Sequence, residues 1–156
     1  MIDQEEVYNR LLNNNSENVA LFRGYTFGKL NFAGRTFEKT VNLSGARFTD
    51  QVCFSGAQFR GKVQFTNAHF ECQPQFDFCN FEQGADFSCS TFTKGAEFLR
   101  SKFIQNARFW KCLFKETANF REAEMNGDSD GQINFSWSCF QKTVTFKSAI
   151  CGQKNI

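Results

Sequence analysis

The sequence predicts an all-β solenoid, wound in turns of five and six residues around an interior column of phenylalanine. Three observations carry that prediction: the spacing of the Phe residues, the small residue two positions before almost every one of them, and a composition skewed toward Phe. The 156 residues include 22 Phe, against two Tyr, two Trp and a single Pro. So skewed an aromatic content has a structural cause, and internal repetition is the first to test.

Phe occupies positions 22, 27, 32 and 37, then Phe48, Phe54, Phe59, Phe65, Phe70, Phe76, Phe81, Phe87, Phe92, Phe98, Phe103, Phe109, Phe114 and Phe120, and finally Phe135, Phe140 and Phe146, with only Phe78 off the lattice. Leu43 fills the one early gap, Met125 continues the series, and from 48 to 125 steps of six and five alternate without exception. A straight strand cannot use this spacing, because a shift of five flips the side chain to the opposite face. In a helix the same steps would scatter Phe at about 140° and 240° instead of gathering one stripe. The chain therefore turns a corner between successive anchors.

Two positions before each anchor stand Ala46, Val52, Ala57, Val63, Ala68, Pro74, Cys79, Ala85, Ser90, Ala96, Ser101, Ala107, Cys112, Ala118 and Ala123, all small. On an extended segment these positions share a face with the anchor, so each side of a narrow coil is filled by one large and one small residue. In the six-residue steps the extra residue falls three before the anchor. Gly84, Gly95 and Asn106 there tolerate positive φ, so the insertion is expected as a bulge at alternate corners.

In chain order, residues 1–19 are expected to hold a short capping helix and a linker. Asp3 is its candidate N-cap, and Val7, Leu11 and Leu12 form its apolar stripe. Residues 20–148 form the repeat, and 149–156 are expected as a tail. Phe140, Phe146 and Ile150 fall in the last coil with Trp137 nearby. That leaves an apolar edge which a second copy, or the tail itself, would cover.

The small residue at i−2, the Phe or Leu centre and the polar remainder resemble the pentapeptide-repeat family over about residues 20 to 148. The resemblance implies a right-handed, four-sided β-helix. The eleven-residue double step departs from the family's pattern and gives a coil of about 22 residues. Anchors then stack every fourth step, as Phe48 under Phe70, Phe92 and Phe114. About six coils at ~4.8 Å each make a rod roughly 30 Å long.

The formal net charge of +2 is neither the basic balance of a phosphate binder nor the acidic balance of a nucleic-acid mimic. No apolar run approaches the roughly 18 residues of a membrane span, and the polar N-terminus does not resemble an export signal. A soluble, cytoplasmic chain is expected, with direct nucleic-acid binding disfavoured. The seven Cys include no Cys-x-x-Cys pair, so reduced thiols are expected rather than a zinc site. Cys79 and Cys112 are assigned to the core.

His69, the single histidine, lies at an outward position on a convex rod, so no catalytic residue is assigned and no cofactor is expected. The lattice breaks at 126–132. There Asn126, Asp128 and Asp130 resemble part of a calcium loop, but Trp137 stands where its bidentate glutamate belongs. A solvated turn is the expectation at that break.

Leu99, Ile104, Trp110 and Leu113 are expected on the outside around one coil, and Trp110 is the first contact candidate because Trp is enriched among interface anchors. The expected function is a non-catalytic module that binds another protein. The resemblance also offers a DNA-mimicking gyrase or topoisomerase inhibitor of the quinolone-resistance type. Residues 22 to 125 carry 14 Lys or Arg against 10 Asp or Glu, so the negative field such imitation requires is missing.

Overall fold

In the computed structural model the described residues are 4–12, 22, 24–126 and 133–151. They form one helix, α1 (Gln4–Leu12), and 22 strands of two residues each, all paired in parallel with the coil before or after. A two-residue strand has no stability alone. Here each is one side of a coil, and its neighbours lie about 22 residues away in sequence.

Four faces result. The first stacks six strands from Thr26–Phe27 to Cys139–Phe140, and the third stacks six from Thr36–Phe37 to Ile150–Cys151. The fourth runs from Val41–Asn42 to Ile133–Asn134 in five strands. The second is split into pieces of two and three strands, bridged only through Gln75. Pro74 accounts for the split. It stands where Leu30, Ala96 and Ala118 donate a backbone N–H to the next coil, and Pro has none to give. Five full turns separate the first and last strands of the six-stranded faces.

The interior is a lattice of rings. On the first face Phe48, Phe70, Phe92 and Phe114 stack nearly parallel at centroid separations of 4.7, 4.9 and 4.5 Å. Rings of the second and fourth faces meet edge to face across the axis, as Phe65 with Phe76 at 5.5 Å and Phe87 with Phe98 at 5.5 Å. Both geometries suit the ring quadrupole and add about 0.5–1.5 kcal/mol per pair to the area buried. Every anchor from Phe48 to Phe120 is at most 1% exposed.

The small residues do more than leave room. Cys79, Ser90, Ser101 and Cys112 donate from Sγ or Oγ to the carbonyls of Phe54, Phe65, Phe76 and Phe87, each one coil earlier. Ser90 Oγ also accepts from the Ala68 N–H at 3.1 Å. These buried polar atoms are therefore satisfied.

The corners differ from the sequence reading. Gly84 and Gly95 do have positive φ, 100° and 82°, but Asn106 does not. The regular left-handed residue belongs to the five-residue corners, at Gly34, Gly45, Gly56, Asn67, Phe78, Cys89, Arg100, Lys111 and Glu122, every eleven residues. There the anchor carbonyl accepts from the N–H three residues on, as Ala57 N to Phe54 O at 2.8 Å. With φ positive only at the third residue, this is a type II turn, whose third position favours glycine. Most of these coils fill it with an ordinary side chain, at about 1–2 kcal/mol each.

Helix α1 closes one end. Val7 and Leu11 are buried in the common core, and the Tyr8 ring lies 5.4 Å from Phe37. Gln4 Oε1 accepts the Asn31 N–H at 2.8 Å, and Tyr8 Oη donates to the Thr36 carbonyl at 3.1 Å. The helix thus satisfies edge groups of the first coil that no strand reaches. Asp3, the candidate N-cap, and the Leu12 side chain lie outside what is described.

At the other end Phe135 and Phe140 are half-buried, while Phe146 and Ile150 are 39% and 46% exposed. No described residue covers this last level. No helix among the described residues is long and apolar enough to cross a membrane.

Candidate interaction surface

Leu99, Ile104, Trp110 and Leu113 fall on the second, third, fourth and first faces of one coil, so the structure does not gather them into one patch. Leu99, Trp110 and Leu113 are half-buried, and Ile104 is 45% exposed. Trp110 and Leu113 do flank one corner, between the fourth and first faces. Trp137 stands at that same corner in the next coil, at φ 62° and 82% exposed. Lys111 lies between them, its Nζ 4.3 Å from the Trp110 ring centroid.

Sequence reasoning missed Lys111 and the placing of Trp137 on the same corner as Trp110. The break at 126–132 stretches one coil, so Phe140 stacks on Phe114 across 26 residues rather than 22. Counting forward by the regular period therefore misplaces Trp137.

The diagonal corner, between the second and third faces, is charged. A groove of about 520 Å³ there is lined by Gln58, Phe78, Asn80, Arg100, Lys102 and Glu122 among others. Arg100 pairs with Glu122 at 2.6 Å and Lys102 with Glu124 at 3.0 Å, each across one coil. Phe78 is 51% exposed, with the Arg100 guanidinium 5.9 Å from its ring centre. A second groove, of about 230 Å³ and polar, follows the corner around Gly84 between Lys62, Gln83, Gln105 and Arg108. Further rungs pair Arg60 with Glu38 and Lys142 with Glu116. Exposed pairs of this kind contribute about 0–1 kcal/mol each, and they leave the surface field nearly neutral.

On the second face, burial raises the pKa of Asp77 and of Glu97, and for Glu97 the nearby Asp77 adds to the rise. Hydrogen bonds oppose the shift: Asn119 Nδ2 donates to Glu97 Oε2 at 2.6 Å, and the Leu99 N–H donates to Asp77 Oδ1 at 3.0 Å. Burial also pushes the Cys112 thiol up to about 12 and raises Cys79 further. Those thiols are protonated and unreactive in the folded state.

His69 stands between Arg47 and Thr91 on the first face. Of the calcium-loop candidates, Asn126 is exposed, whereas Asp128 and Asp130 lie outside the described residues. Among the described residues no cluster of His, Cys, Asp or Glu has the geometry to hold a metal ion.

Four stacked faces, an axial ring lattice and a helix over one end define a parallel β-solenoid. A family model described as pentapeptide repeats, in nine copies, matches residues 43–88 and 76–124, more than half of the chain. The chain belongs to the pentapeptide-repeat family. No curated protein and no solved structure gives a significant match.

Proposed function

We propose that the protein is a non-catalytic interaction module, a rod that presents fixed side chains to another protein. The observation that carries this reading is the filled interior. Rings and small residues occupy the axis, so chemistry available to a partner lies on the outer columns, where ladders of side chains stand one coil apart. A cytoplasmic location is supported by seven cysteines that are all unpaired.

Near-balanced, mutually paired surface charge supports a protein partner over imitation of DNA. Capture from native lysate, with purified gyrase and DNA assayed separately, tests this. A saturable protein partner is the expected result. Retention of nothing, or potent inhibition of gyrase supercoiling at micromolar protein, would overturn it.

The same reading includes a two-fold homodimer through the open last coil, where Phe146 and Ile150 are exposed and a second copy would cover them. Trp137 adjoins that contact.

A further inference from the structure

The corner between the fourth and first faces differs from the rest of the surface. Residues 43–48, 65–70, 87–92, 109–114 and 135–140 stack there; Arg47 and Lys111 are their only Lys, Arg, Asp or Glu, and Arg47 is paired with Glu71, which leaves Lys111 as the unpaired charge. The Lys111 N–H donates to the Ser136 carbonyl at 3.0 Å, and the Phe109 ring stacks on Phe135 at 4.8 Å. Trp137 is thereby set one coil beyond Lys111, on the corner that Trp110 also flanks. Leu113 and Cys139, paired in register, extend the strip onto the first face.

Two features mark this strip as unfinished within the chain itself. Trp137 occupies the left-handed turn position that Gly45 fills on the same corner, so it carries backbone strain. It is also 82% exposed, so burial does not offset that strain. Lys111 is in none of the ion pairs among the described residues. Its ammonium rests on an indole face instead, a weak tether that a carboxylate would outcompete.

We infer that this corner docks a segment of a partner protein carrying a carboxylate beside an apolar side chain. Trp110 and Trp137 are the apolar ledges, and Lys111 is the charge that selects the acid. The inference rests on the interaction-module reading and adds the site and the partner's chemistry. A polyanion such as single-stranded nucleic acid fits less well, since one cation neutralises little of a phosphate chain.

The test uses the intact protein and a random-peptide display library without tryptophan. The protein's two Trp residues are both in the strip, so intrinsic tryptophan emission, read at one protein concentration with the mass checked by light scattering, reports on this surface. Selected peptides are expected to place Asp or Glu next to an apolar residue and to shift that emission. Lys111→Gln should weaken their binding at least about tenfold, and Trp137→Gly should abolish it. Because glycine suits this turn, the Trp137→Gly protein should melt no lower than the parent, which separates loss of the site from loss of the fold.

Peptides that bind without changing Trp emission, or that bind Trp137→Gly equally well, would place docking elsewhere on the rod and leave the module reading intact. Failure to enrich any peptide would overturn the assignment of the strip to a protein segment. So would an emission shift produced only by oligosaccharides or single-stranded oligonucleotides. Lysate capture judges the broader reading independently.

Discussion

Replacing Phe98 by Ala tests the ring lattice where it is densest. Phe98 is fully buried. It stacks on Phe76 and Phe120 at 5.1 and 4.8 Å, and meets Phe87 and Phe109 edge-on at 5.5 Å each. Losing the buried ring forfeits about 1.5–3 kcal/mol of transfer free energy, and several ring pairs worth about 0.5–1.5 kcal/mol each go with it. These contributions do not add fully.

Relaxation is also restricted, because backbone rungs such as Phe98 N to Asn119 O at 2.8 Å fix the spacing between coils. The void therefore stays open, and the expected cost is in the upper part of the 3–5 kcal/mol range, about 4–5 kcal/mol. Phe78→Ala is the internal control. Its ring is 51% exposed and makes one cation–π contact, so its loss should cost under about 1 kcal/mol. Urea titration, with the slope checked for constancy, measures both. If the two variants differed by less than about 1 kcal/mol, the assignment of Phe98 to the lattice and Phe78 to the turn would be wrong.

At the turn position Cys89, with φ 60°, substitution by Gly should stabilise the protein by about 1 kcal/mol in the same titration. Gly95→Ala should destabilise it by more than about 2 kcal/mol, since a Cβ there would sit 2.1 Å from the Thr117 carbonyl oxygen. A colourless-to-coloured thiol reagent should modify exposed Cys139 and Cys151 in the native state and reach Cys79 and Cys112 only on unfolding.

Asp77 and Glu97 have folded pKa values raised above 3.8 and 4.5. The folded state therefore holds protons that the unfolded state has released. Their contribution is full below those values and is lost as pH rises through the raised ones. Asp77→Asn with Glu97→Gln should accordingly flatten the fall in stability between those ordinary values and the raised ones, measured by denaturant titration across pH. Light scattering over a dilution series should give a mass near twice 17.9 kDa, and removal of residues 133–156 should abolish the pairing.

The phenylalanine lattice was legible because ring size and step length leave the chain few ways to pack, and each anchor from Phe48 to Phe120 repeats the same statement. The corners were less legible. Gly84 and Gly95 advertise positive φ, but coil stacking imposes the recurrent left-handed turn where Phe78, Arg100, Lys111 and Glu122 stand, residues that announce nothing of the kind. There tertiary pairing overrides local preference. Nor does the sequence show why Ser90 and Cys79 replace Ala, because the carbonyls they serve lie one coil away. The Trp110–Lys111–Trp137 corner was hidden by the stretched coil, which displaces Trp137 from the register that would have placed it beside its neighbours.

Helix α1 also governs how such rods can multiply. A solenoid open at both ends could join head to tail, each copy extending the sheets of the last, and nothing in that geometry would limit the growth of a fibre. Here Gln4 and Tyr8 already occupy the free N–H of Asn31 and the free carbonyl of Thr36, and Val7 and Leu11 cover the rings behind them. An incoming last coil would have to displace the helix and both of those hydrogen bonds to pair with that end. Head-to-tail growth is thereby disfavoured, and on the dimer reading proposed above, assembly through the far end would stop once two such ends had met.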